Sequence, residues 1–348
     1  MKIIMLGNFS DGQTADYIAR SCEHVDIETV YGIDIRKIPQ DFTPLEAQDK
    51  IIEEVKNIGV SVDIVIVLKG LEIKLSTLKA LRELQPEAIF VNWFFDKYLI
   101  EEPIWKSESY FDVIKFFDFY FCSLKGVADK LRDKGLANVY YLDEGCFPEA
   151  HGETYINHFQ EQKYGSDVAF IGSVGFMLQH ADRMMILDKI ATEGFNLKIW
   201  GPRLVDMKLI PKNIRPLITN APVINEEHSK VVQSSLVNLG IDQDTTIDMG
   251  HSARAYRIMC AGGCYLSSAT KGLDRMFKVN DRDKEVTADQ DLVLFYGAYD
   301  LVQKIDFLLE HEDIRKSIAK NGQKAVVENH TFVHRLREML KIIETEMK

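Results

Sequence analysis

Two successive series of short β-branched runs, each run followed by an amphipathic stretch, restrict this chain to an α/β architecture. In the first series IIML (3–6), VDIETV (25–30), DIVIVL (63–68), AIFVNW (88–93), FYFCS (119–123) and VYYL (139–142) read as strands. Helical stretches fall near 13–22, 44–58, 75–84 and 125–134, and Lys134-Gly135 reads as a helix stop. Several of the strands are apolar at consecutive positions, the pattern of a parallel sheet covered on both faces. Right-handed crossovers follow from that alternation.

The second series runs through DVAFIGS (167–173), a helix near 179–193, NLKIW (196–200), SLVNLG (235–240), a helix near 252–261, CYLSS (264–268) and DLVLF (291–295). Helices at 298–309, 311–329 and 332–347 close the chain. Between the series, residues 148–166 are polar, contain Pro148 and two glycines, and lack a period. The expected organisation is an N-terminal Rossmann-like domain over 1–150, a linker over 151–166 and a C-terminal Rossmann-like domain over 167–330. A last helix, 331–348, is expected to pack back toward the first domain, with the two domains facing a central cleft.

A length of 348 residues suits two domains, and 46% hydrophobic with 27% charged residues is a globular composition. The net charge of −11 is concentrated in residues 1–160, which hold 17 basic and 27 acidic side chains. That balance weighs against a non-specific grip on a nucleic-acid backbone. No window approaches the length of a membrane span, and MKIIMLGNFSDGQ turns polar after six residues, as a first strand does. Cys22, Cys122, Cys146, Cys260 and Cys264 form no CxxC pair, which suits reduced thiols in a cytoplasmic protein. Apart from His330 and His334 the nine histidines form no HxxxH or HxH pair, and no cysteine stands at zinc-like spacing to them, so no protein-bound metal is indicated.

Chemistry concentrates at strand ends. FIGSVG (170–175) follows a strand and precedes a helix, a turn that can aim backbone amides at a phosphate or can carry glycine for steric reasons alone. GNFSDG (7–12) repeats this arrangement after the first strand. There Gly7, Asn8 and Gly12 permit close approach, and Asp11 is either a cleft-facing carboxylate for an acceptor hydroxyl or a cap of the next helix. Lys69-Gly70, Asp96, Glu144-Gly145 and Trp200-Gly201-Pro202-Arg203 also end strands. The aromatic run 110–121 reads as core.

The most informative stretch is NLGIDQDTTIDMGHSARAYRIMCAGGCYLSSATKGL (238–273). Ser252 is expected as the N-cap of a helix carrying Arg254, Tyr256 and Arg257, which stops at Gly262-Gly263. Two guanidiniums near a helix start suit bidentate binding of a diphosphate, and His251 can donate to the same oxygens.

These landmarks, in this order, resemble the CgeB-like (spore-maturation type) glycosyltransferases, which have the GT-B fold and a group-1-like C-terminal domain. The resemblance covers 167–340. It rests on FIGS with Arg183 in the next helix, FNLKIWGP (195–202), SARAYRIMCAGGCYLSS (252–268), KGLDRMF (271–277) and DLVLFYGAYDLVQKIDFLLEHEDIRKSIAKNGQKAVVENHTFVHRLREML (291–340). It implies a metal-independent enzyme with no tightly bound cofactor, using a nucleoside-diphosphate sugar as donor substrate. Donor contacts would map onto Gly172, Ser173, Arg183, Trp200, Gly201, Ser252, Tyr256, Gly262, Lys271, Gly272, Leu273 and Asp291. Asp11, His251, Arg254 and Arg257 would carry the chemistry. The acceptor would meet Gly7, Asn8, Gly12, Lys69 and Asp96.

One departure stands out: many relatives carry glutamate at the position of Arg257, where it contacts the donor ribose or sugar. The expected function is sugar transfer to a cell-envelope glycan, glycolipid or protein, or to a hydroxylated pyrimidine in phage-type DNA. The other reading is a non-catalytic or regulatory nucleotide-sugar-binding protein.

Overall fold

The strand β1 (Lys2–Gly7) is buried at every position from Ile4 to Leu6 and anchors a six-stranded sheet. In the computed structural model that sheet runs β2 (Thr29–Asp34), β1, β3 (Ile64–Leu68), β4 (Ile89–Phe94), β5 (Phe119–Cys122), β6 (Val139–Tyr141), every pair parallel. The structure describes residues 1–38, 43–96, 110–175, 181–202, 206–242, 244–282 and 284–348. Arg203 and the first residues of the helix expected near 179 lie outside them. The five side chains of β3 are all buried, each contributing about 1.5–3 kcal/mol of transfer free energy.

Helices connect these strands as the periodicity requires: α1 (Thr14–Ser21), α2 (Pro44–Ile58), α3 (Leu75–Leu84), α4 (Tyr110–Phe116) and α5 (Lys125–Asp133). Helix α2 starts with Pro44 after a Thr43–Glu46 capping box. The second strand differs from expectation. Residues 25–27 turn, with the Ile27 N–H donating to the Val25 carbonyl at 2.7 Å, and pairing with β1 begins only at Thr29. The strand continues through Gly32, which lies against the Phe9 ring.

The second sheet has the order β11 (Val293–Phe295), β10 (Tyr265–Ser268), β9 (Ser235–Gly240), β7 (Ser166–Ile171), β8 (Leu197–Trp200), again all parallel. Its core joins Val168, Phe170, Leu239, Leu266 and Val293 to Leu187 of α8 (Ala181–Thr192) and Leu301 of α11 (Ala298–Glu310). The other helices here are α6 (Pro148–His151), α7 (His158–Tyr164), α9 (Asn225–Ser234), α10 (Arg254–Cys260) and α12 (Glu312–Asn329).

The chain divides into two compact units, Met1–Glu144 with Phe332–Lys348, and Gly145–Thr331. The last helix, α13 (Phe332–Glu346), belongs to the first unit. There Phe332 packs edge-on to Trp93, and the Arg335 Nε donates to the Glu144 carbonyl at 2.8 Å. Residues 151–166, expected as a linker, instead belong to the second unit and carry α7, with α6 just before it. Helix α7 is polar yet fixed by an Asn157–Gln160 capping box and anchored by buried Tyr164 against Trp200.

All five cysteines are free and buried. Among the described residues no helix is long and apolar enough to cross a membrane.

Candidate functional site

In a parallel sheet every strand delivers its carboxyl end to the same edge, so that edge collects the polar loops of the second unit. At the end of β7, Gly172 donates its N–H to the Trp200 carbonyl at 2.8 Å, joining the ends of β7 and β8. The guanidinium of Arg254, at the start of α10, is held over this turn. Its Nε donates to the Ile171 carbonyl at 2.9 Å and its Nη1 to the Ser252 hydroxyl at 3.1 Å. A side chain at Gly172 would obstruct it, since a Cβ there would lie 3.0 Å from Arg254 Nη2.

A second guanidinium supports the same turn from inside. Arg183 is 6% exposed and donates to the carbonyls of Ser173 at 2.9 Å and Ile241 at 3.2 Å. Burial, with the like charge of Arg254, pushes it down to about 9. Both guanidiniums contact the Phe170 ring, at 5.3 Å for Arg183 and 5.1 Å for Arg254. Two cations so close are stabilised when an anion joins them, so this turn is suited to a phosphate.

Asp242, which the sequence reading passed over, braces the loop leading to α10. Its carboxylate accepts from the Ser252 N–H at 3.2 Å and the Thr270 hydroxyl at 2.8 Å. It stands within a run of Asp and Thr in which no single carboxylate is distinguished by spacing. His251, 7% exposed, shares a hydrogen bond of 2.8 Å between its Nε2 and the hydroxyl of fully buried Tyr256. Tyr256 thus supports His251 and faces the core. Lys271 and Gly272 follow β10 at this edge, Lys271 exchanging backbone bonds with Thr245 and Met249.

Several expectations are corrected. Ser252 is not the N-cap: α10 begins at Arg254 with Ala253 as its cap, and the Ser252 hydroxyl serves Arg254. Leu273 is fully buried in a core cluster with Tyr256 and Phe277, because an apolar side chain after a turn gains more from burial than from a polar ligand. Gly262 ends α10, its N–H donating to the Met259 carbonyl, and so lies at the far end of that helix from Arg254. Asp291 precedes β11 and therefore stands at the opposite edge of the sheet; its carboxylate accepts from the Lys278 N–H at 2.8 Å.

Arg257 also departs from the expected grouping. Its charge acts on two buried imidazoles, His151 and His228, whose rings are 5.9 Å apart. Neither histidine carried a sequence signal: PEAHGE lies in the polar stretch between the two series, and EEHSK lies in none of the helices that the periodicity marks. Trp200 is 5% exposed and its indole Nε1 has no acceptor among the described residues.

In the first unit, a cavity of about 130 Å³ is lined by Asn8, Gln13, Arg36, Lys69, Glu72 and Asp96 among others. The Lys69 ammonium pairs with Asp96 at 2.8 Å, and Arg36 with Glu72 at 2.8 Å. Gly7 forms the root of this edge, where a Cβ would meet that of Ala15 at 2.8 Å. Asp11 is exposed and Gly12 buried, and neither lines the cavity. Helix α1 is capped at Gln13, not Asp11. Among the described residues no group of three or more His, Cys, Asp or Glu could hold a metal ion.

The turn at 172–173 and the arginine that covers it fall beside and within a segment that other proteins share. Residues 182–341 match the family described as Glycosyl transferase-like. This glycosyltransferase-like match spans just under half of the chain. No curated protein matches the sequence. The crystal structure of Anabaena HepE in complex with UDP and glucose is similar over 99% of this chain and 100% of its own, at TM-score 0.64 and 10% identity. An alpha-glucosyltransferase in complex with UDP and a 13-mer DNA is similar at TM-score 0.60 and 11% identity, over 99% of this chain and 100% of its own. A trehalose-6-phosphate synthase is similar at TM-score 0.59 and 10% identity, over 99% of both chains. The fold is therefore α/β of the GT-B kind, with two parallel sheets. Family match and fold together support a glycosyltransferase.

Proposed function

We propose that the protein transfers a sugar from a nucleoside-diphosphate sugar to an acceptor hydroxyl. The observation that carries this reading is Arg254 held over the Gly172–Ser173 turn, with Arg183 beneath it. Cleavage of the donor leaves a nucleoside diphosphate, and its growing negative charge falls where two guanidiniums are already oriented. Arg254 takes that charge directly; Arg183 keeps the turn in place through the Ser173 carbonyl. His251, Lys271 and Gly272 complete the donor edge, and Arg257 adds its charge one turn further along α10. The Trp200 indole N–H supplies a donor that no group among the described residues accepts from. In this reading the arginines do the work that a metal does elsewhere, and the chain needs no resident cofactor.

The cavity of the first unit is assigned to the acceptor, with Asn8, Lys69 and Asp96 as its polar groups. Asp11, on the exposed loop between the lining residues Asn8 and Gln13, remains the carboxylate proposed to receive the acceptor proton. A likeness in fold to a DNA-bound glucosyltransferase keeps a hydroxylated pyrimidine among the acceptors to be tried, beside glycans, glycolipids and proteins.

A thermal-shift series with UDP-, GDP-, dTDP- and CMP-sugars tests the donor assignment, since a bound donor raises apparent stability by mass action. The one that binds should then be hydrolysed slowly, releasing nucleoside diphosphate. A protein indifferent to all four at millimolar concentration would refute the reading. Transfer to hydroxymethylated against unmodified oligonucleotides, and to a glycan panel, separates the acceptor classes.

A further inference from the structure

His228 lies in the first turns of α9 and is 6% exposed, yet its Nδ1 meets no hydrogen-bonding group among the described residues. Buried polar atoms in folded proteins are paired, and an exception asks for a partner. The surroundings narrow what that partner can be. Arg254 and Arg257 act on the ring from α10, and His151 approaches it from α6. The His151 Nδ1 accepts from the Phe147 N–H at 3.1 Å, which fixes that ring's orientation. Burial and then the two arginines push His228 down to about 3, so the imidazole is neutral at physiological pH.

A neutral imidazole has one N–H and one bare nitrogen. A phosphate or carboxylate oxygen satisfies Nδ1 only when it carries the proton, and a guanidinium only when it does not. A hydroxyl satisfies it in either tautomer. Arg254 links this ring to the turn assigned above to the diphosphate, so the nearest hydroxyls of a bound donor belong to the groups on either side of that diphosphate. We propose that His228 is a specificity-determining residue whose Nδ1 hydrogen-bonds a hydroxyl of the donor, either of the ribose or of the transferred sugar. The proposal rests on the donor assignment of the preceding subsection.

Calorimetric titration of the full chain tests it. The probes are whichever of UDP, GDP and ADP binds tightest, its 2′-deoxy and 3′-deoxy analogues, and the corresponding glucose diphosphonucleoside. If the ribose is read, the wild type should bind the ribonucleotide about tenfold more tightly than one deoxy analogue, the size of a hydrogen bond between neutral groups. If the sugar is read, the glucose-bearing ligand gains that factor over the nucleotide alone. His228→Phe should abolish whichever preference exists by weakening only the hydroxylated ligand, and His228→Asn, which keeps a donor and an acceptor, should restore most of it. Equal weakening of every ligand by both variants, with circular dichroism unchanged, would show a structural role and overturn the proposal. So would a His228→Phe protein with wild-type preferences. Failure of the wild type to bind any nucleotide is a different outcome, which sinks the donor assignment itself and the proposal with it.

Discussion

Gly201 sits against Gly172 so closely that a Cβ on Gly201 would stand 2.7 Å from the Gly172 carbonyl carbon. Its φ of 144° is also one that a side chain resists. These two glycines directly follow β8 and β7, and their contact sets the floor beneath Arg254. Gly201→Ala is therefore expected to cost about 2 kcal/mol or more, measured by urea denaturation, and to weaken donor binding with it. Gly194 provides the comparison: its φ is 88° but no atom lies within 4 Å of its would-be Cβ, so Gly194→Ala should cost about 1 kcal/mol and leave binding intact. Equal losses in the two variants would mean that the close approach carries no weight.

Arg254 differs from a simple positive charge in using Nε and Nη1 at once, on the Ile171 carbonyl and the Ser252 hydroxyl. A lysine preserves the charge and loses the fork. Arg254→Lys should lower kcat/KM for the donor by about tenfold or more, and Arg254→Ala further, while the melting temperature moves little. A lysine variant with full activity would show that charge alone suffices, and that the geometry at this turn is incidental.

Much of this was legible in the sequence, and the failures have physical causes. IVIVL in β3 is buried on both faces, so its pattern could only be that of an inner parallel strand. The second strand was displaced because Gly32 interrupts its β-branched run, and Gly32 is needed where the Phe9 ring lies on the backbone. Helix α7 was missed because its stability comes from a capping box and one buried tyrosine, neither of which makes a period. Arg254 stands out only together with His251, Arg257 and the glycine stop, since a single guanidinium at a helix start is as easily solvated or paired with the nearby aspartates. His228 does not stand out, because EEHSK lies in none of the helices that the periodicity marks, and α6 and α10 close over it only in the fold. Asp291 is implied by the resemblance alone, and its place before β11 puts it at the amino end of that strand.

The buried imidazoles give the second unit a defined acid sensitivity. His228 is depressed to about 3 and His151 well below its ordinary value, both by burial first and Arg257 next. In the unfolded chain both titrate near 6.5, so between about pH 6.5 and 3 the unfolded state binds more protons than the folded one. Stability is then fully present above pH 6.5 and declines as pH falls. From pH 6.5 to 5, before carboxylates contribute, each histidine accounts for about 2 kcal/mol at most. His228→Asn should remove roughly half of the combined loss, read as the difference in urea midpoint between pH 7.5 and 5. An unchanged pH dependence in that variant would mean that His228 is charged in the folded protein.

At the acceptor cavity, Lys69 itself adopts a left-handed conformation, with φ of 60°, and points its ammonium at Asp96. A β-carbon in that region costs on the order of 1–2 kcal/mol, which the fold tolerates only because the local turn is fixed from both sides. One side is the Asn92 Nδ2, which donates to the Lys69 carbonyl at 3.2 Å; the other is the Lys69 N–H, which donates to the Trp93 carbonyl at 2.9 Å. Lys69→Gly relieves that strain and adds a similar entropic cost in the unfolded chain, so its stability should stay within about 1 kcal/mol of wild type. If the ammonium positions an acceptor, this variant hydrolyses donor in water at the wild-type rate yet loses transfer. Asp96→Asn, which breaks the same ion pair from the other side, should show the same split between hydrolysis and transfer. A fall in both activities together would place Lys69 in the support of the fold, and a fall in neither would move the acceptor away from this cavity.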